Sequence, residues 1–177
     1  MAATIIATPG ASDANSFATL AEANTYHEAH VSGAAWADLD ADARNRALIM
    51  ATRHITAYAV WLGAPSSSSQ ALPFPRTGLV NPDNGAAVSS STIPDRLKWA
   101  TAEQARLLAT ADRSQEQGTA VQGITAIKAG SVELEFAKAT TPGGIGQVVA
   151  PSAWQFIACW GYLEQQGMGG AVKLARV

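Results

Sequence analysis

Leu72-Pro73-Phe74-Pro75-Arg76-Thr77-Gly78 constrains this chain more than any other stretch, because it cannot be helical and helical patterns flank it on both sides. Pro73 and Pro75 fix φ and push Leu72 and Phe74 into extended conformations. The stretch lies within a connection of residues 63–92, a length uncommon inside a compact domain unless the loop is functional or disordered. Two prolines argue for stiffness, so Phe74 and Arg76 are offered from a preset backbone. Phe74 then has two readings: an anchor for another protein, with Arg76 as its polar partner, or a plug that seats the loop on the domain's own core.

Upstream, Asp40 or Asp38 caps a helix in which Leu48, Ala51, Ile55, Tyr58 and Leu62 recur at three- and four-residue steps. That is one buried stripe reaching about Trp61, and Gly63 ends it. Downstream, Pro94 and Asp95 suit a first turn. Leu97, Ala100, Gln104, Leu107, Leu108 and Ala111 make the inward face of this helix, while Arg96, Lys98, Glu103 and Arg106 stay solvated. Nearer the start, a short β-type run at residues 4–8 reads as a strand or extended arm, and Thr19 with Glu22 forms a capping box for a helix reaching about His30. His27 and His30 share a face of it, a spacing that metal sites use. No cysteine or acidic cluster completes a ligand set, so no metal is expected.

Beyond the third helix the period changes. Residues 124–136 alternate around a turn at Ala129-Gly130 and read as a β-hairpin, with Glu133 and Glu135 on its solvated face instead of in a catalytic pair. Pro151-Ser152 opens a last helix carrying Trp154, Phe156, Ile157, Cys159, Trp160, Tyr162 and Leu163 on all sides. A helix apolar all round must be buried all round, so Trp154 and Trp160 are expected to meet another subunit. Residues 167–177 open on glycines and carry Val172, Lys173, Leu174 and Arg176, a pattern suited to a docking tail. The expected architecture is mainly α: a small bundle of about four helices in residues 1–166, with one hairpin, a long inter-helix loop and an extended C-terminal tail.

Composition narrows the function. Only 15% of the 177 residues are charged, which leaves a surface suited to contact with protein. A net charge of −2 lacks the clustered Lys and Arg with which nucleic-acid binders neutralise phosphates. The single cysteine, Cys159, excludes an internal disulfide, and the apolar run of residues 139–163 is broken by Pro142 and Pro151, so it is no membrane span. Residues 1–10 lack the basic start and apolar core of a signal peptide. Gly143-Gly144-Ile145-Gly146 lacks the lysine of a phosphate-binding loop, and no nucleophile is paired with a base, so neither an enzyme nor a cofactor is expected.

Several stretches taken together resemble the head–tail adaptor (connector) proteins of tailed bacteriophages. They are Ala14-Asn15-Ser16-Phe17, Trp36, Arg46-Ala47-Leu48-Ile49-Met50-Ala51-Thr52, Ala71-Leu72-Pro73-Phe74-Pro75-Arg76-Thr77-Gly78, Ile93-Pro94, the hairpin, and Lys173-Leu174-Ala175-Arg176. Relatives are often labelled DnaT-like single-stranded-DNA-binding proteins, which is the alternative function. The resemblance implies a virion protein of the phage neck, made in the host bacterial cytoplasm. It would form a ring of twelve copies beneath the portal protein and offer a docking surface to the stopper or tail-completion protein, with the genome passing through its lumen unbound. Leu72, Pro73, Phe74, Pro75, Arg76, Trp154, Trp160, Val172, Lys173, Leu174 and Arg176 are then the expected interface residues.

Overall fold

Each longer helix begins where a side chain or a proline deals with its free amides. The computed structural model describes residues 3–110, 126–129, 132–135 and 148–163. Thr19 accepts from the Glu22 amide at 3.2 Å and Glu22 accepts from the Thr19 amide at 2.8 Å, the expected capping box, which opens α1 (Leu20–Glu28). A single turn, α2 (Ala34–Ala37), delivers Trp36 to the interior. Asp40 accepts from the Ala43 amide at 2.6 Å and opens α3 (Ala41–Tyr58), and α4 (Asp95–Thr110) follows Pro94.

Small residues let α1, α3 and α4 approach closely. Ala23, Ala47, Ala51, Ala102 and Ala105 pack with Leu48 and Trp36 in one buried cluster. A second gathers Phe17 from the N-terminal arm, Ile55 from α3, Leu97 from α4, Phe74 and Leu79 from the long connection, and Ile157 and Trp160 from the C-terminal part. Full burial of side chains this size contributes about 1.5–3 kcal/mol each. The fold is mainly α with short β ribbons, in line with the expectation.

Around this frame three expectations are corrected. The apolar segment after Pro151 is not a long helix: α5 (Pro151–Trp154) is one turn, a 3-10 turn spans Ala158–Trp160, and β6 (Gly161–Leu163) is extended. α3 correspondingly stops at Tyr58, and β1 (Ala59–Trp61) pairs antiparallel with β6 in the register Ala59↔Leu163, Val60↔Tyr162 and Trp61↔Gly161. Val60 and Trp61 in β1 and Tyr162 in β6 are strand-favouring types, and a cross-strand partner outweighs the helical spacing of both segments. Leu62 therefore lies exposed instead of joining the α3 stripe. Glu103, expected in solvent, is buried: α4 is covered on several sides, and Arg106 (2.7 Å) supplies the counter-charge.

The long connection is ordered by pairing. β2 (Ala64–Pro65) and β3 (Arg76–Thr77) are antiparallel, and Val80 bridges Ala87. Gly63 turns β1 into β2 at φ +67, and any Cβ there would overlap the Thr77 carbonyl. β4 (Ala126–Ala129) and β5 (Val132–Glu135) form the expected hairpin, in the register Ala126↔Glu135 to Ala129↔Val132. Residues 164–177, including the expected docking tail, lie outside the described residues.

Candidate functional site

Phe74 is the hub of an internal aromatic cluster, with its ring centre 4.9 Å from Trp61, 6.2 Å from Phe17 and 6.3 Å from Trp160. It is 1% exposed. Arg76 is buried beside it. Its Nε donates to the Leu62 carbonyl (2.7 Å), Nη2 to Gly63 (2.8 Å) and Nη1 to Pro73 (3.1 Å). One planar fork thus ties the β1–β2 turn to the proline segment. Burial depresses the Arg76 pKa, and the three carbonyls replace the water it gives up. Of the two readings of Phe74, the geometry realises the plug. The expectation that Phe74 and Arg76 project as interface anchors is corrected, because their own chain already occupies them.

Other expected interface residues divide. Pro75 is buried, while Leu72 and Pro73 remain half-buried. Trp160 is 3% exposed, with its indole N–H donating to the Val80 carbonyl at 2.9 Å, so it too acts as an internal strut. Trp154 is half-buried, 6.2 Å from Trp61. Val172, Lys173, Leu174 and Arg176 lie outside the described residues.

An exposed aromatic surface lies elsewhere, between α1 and α4. An open groove of about 660 Å³ is lined by Thr25, Tyr26, Ala29, His30, Lys98 and Trp99. Trp99 is 43% exposed. Phe156, arriving from the turn after α5, meets both Tyr26 (6.4 Å) and Trp99 (6.1 Å) edge-on and fixes the two rings. Trp99 also lines a second groove of about 480 Å³, with Asp83, Arg96 and Trp160. A tryptophan held at the ridge between two grooves is the residue type most enriched at interface hot spots. Sequence reasoning passed over it, although an aromatic falling on the polar face of α4, beside Lys98, was the available signal.

The groove's charges are arranged around one lysine. Lys98 Nζ lies 2.7 Å from Glu22 and 3.4 Å from Asp95, so two carboxylates flank a single cation. Partial burial of Glu22 disfavours its charge, but the Lys98 and Thr19 hydrogen bonds hold its carboxyl below the ordinary carboxylate range. At the inner end His30 Nε2 lies 3.6 Å from Glu103, whose carboxyl is also lowered: burial opposes ionisation, and Arg106, Ser152 and His30 outweigh it.

Most of the remaining described cations are similarly occupied. Arg44 donates to the Trp36 and Ala37 carbonyls, Arg46 pairs with Asp42, Arg96 with Asp83 and Arg106 with Glu103. Among the cations whose side chains are described, Arg53 is the one without an acceptor. Among the described residues there is no group of three or more His, Cys, Asp or Glu placed to hold a metal ion, and no helix is long and apolar enough to cross a membrane.

Fold and groove together define a small, mainly α domain with a neutral-to-acidic aromatic cleft between α1 and α4. Over residues 1–177 the chain matches the family described as putative DnaT-like ssDNA binding protein, and it belongs to that family. No curated protein and no solved structure matches it.

Proposed function

We propose that this protein acts by docking other proteins and, more finely, that it is the head–tail adaptor of a tailed bacteriophage. In this reading copies form a ring beneath the portal, present a surface to the stopper or tail, and let the genome pass through the lumen. The observation that carries the docking reading is the charge on the Trp99 groove. Its aromatic walls could stack bases, but Glu22 and Asp95 flank Lys98, so a phosphate backbone entering there meets more acid than base. A peptide pays no such repulsion. The pairing of Arg44, Arg46, Arg96 and Arg106 supports the same reading, since few described cations are left to release counterions from a nucleic acid. The finer assignment is supported by the ordered run of motifs from Ala14 to Arg76, whose residues here build the core and the clasped loop.

The second reading, single-stranded-DNA binding, is favoured by the family's description and by the exposed Trp99 beside Tyr26. Gel shifts with single- and double-stranded DNA at physiological salt separate the two. The docking reading expects nothing tighter than the weak non-specific range, about micromolar or poorer. A nanomolar single-strand complex that weakens steeply with salt would favour DNA binding instead.

A further inference from the structure

We infer that the Trp99 groove receives residues 172–177 of a second copy of this chain. The inference rests on the docking reading and names the occupant of that site. The groove selects for an apolar segment carrying positive charge: Tyr26, Ala29 and Trp99 supply the walls, and Glu22 and Asp95 outnumber Lys98 at the rim.

Residues 172–177, Val172-Lys173-Leu174-Ala175-Arg176-Val177, have the matching composition, with three large aliphatic side chains and two cations in six positions. Gly167, Gly169 and Gly170 precede them, and eight residues separate Leu163, where β6 ends, from Val172. Fully extended, such a linker reaches about 3.3–3.6 Å per residue, enough to leave its own domain and meet a neighbour. Leu174 would lie against Trp99, while Lys173 or Arg176 would reach Asp95, whose side chain is 74% exposed and shares Lys98 with Glu22. Because each copy carries one groove and one such segment, the contact is head-to-tail, and that geometry closes into a ring when the rotation between neighbours permits.

A full-length chain with a photo-crosslinking residue in place of Leu174, prepared as an equal mixture of nitrogen-14 and nitrogen-15 forms, tests this. Cross-linked peptides should join position 174 to α1 or α4 around Tyr26 and Trp99, with mixed-isotope pairs that identify two different copies. Asp95→Lys should reduce the yield and Lys98→Gln should raise it, with both variants compared at a temperature where circular dichroism shows them folded. Cross-links confined to single-isotope pairs, or falling outside the groove, would overturn the inference. Mixed-isotope groove links in a protein that ignores portal rings would preserve this contact and remove only the adaptor assignment.

Discussion

Phe74 meets the indole of Trp61 edge-on, with ring centres 4.9 Å apart and planes at 85°, and this contact joins the proline loop to the β1–β6 ribbon. Edge-to-face pairs of this kind add about 0.5–1.5 kcal/mol beyond the area they bury. The loop is thereby part of the core.

Phe74→Ala should accordingly destabilise the isolated protein by about 3–5 kcal/mol, the cost of truncating a buried Phe. Denaturant melts should show a lower midpoint with an unchanged slope. A loss under about 1 kcal/mol would return Phe74 to the role of a projecting anchor.

Arg76 should behave as a structural fork. Hydrogen bonds to charged groups contribute roughly 1.5–3 kcal/mol, and Arg76 makes three of them to Leu62, Gly63 and Pro73. Arg76→Lys keeps the charge but cannot span all three carbonyls, so its melting midpoint should fall between those of the wild type and Arg76→Ala. Equal stability of the lysine variant and the wild type would count against the fork.

Acid sensitivity should come first from His27. Its ring is buried against Trp36, with Nε2 3.1 Å from the Ala102 carbonyl, and desolvation lowers its pKa from 6.5 to about 4. Above 6.5 the imidazole is neutral folded or unfolded and contributes no pH dependence. Between 6.5 and about 4 the unfolded chain binds a proton that the folded chain refuses, so stability falls as the pH falls through that window. Melts at pH 7.5, 6 and 5 should show a declining midpoint, and His27→Gln should flatten the decline. A profile equally steep in the variant would assign the effect to other groups.

How much of this could be read from the residues alone follows from the range of the interactions. The caps at Thr19 and Asp40, the Leu48-Ala51-Ile55 stripe and the 126–135 hairpin are local, with signals lying within a few positions. The β1–β6 ribbon is not local: Ala59 finds its partner at Leu163, and neither strand has a period that reveals the other. Residues 151–163 carried so many apolar side chains that a helix and a turn-plus-strand predicted the same burial. Glu103 was misplaced for a related reason, since its ion pair with Arg106 can be inferred from spacing while its cover by neighbouring elements cannot. The interface residues sought in the 72–76 loop illustrate the same limit: proline stiffness does not say which way Phe74 faces.

The central claim is that this protein docks on other proteins and not on DNA, and a mass measurement of the purified full-length chain mixed with portal rings tests it most directly. The account predicts a discrete complex in which each portal ring gains a full ring of copies, unchanged when excess single-stranded oligonucleotide is present. Portal rings that gain no mass, while the chain shifts stoichiometrically onto the oligonucleotide, would contradict it.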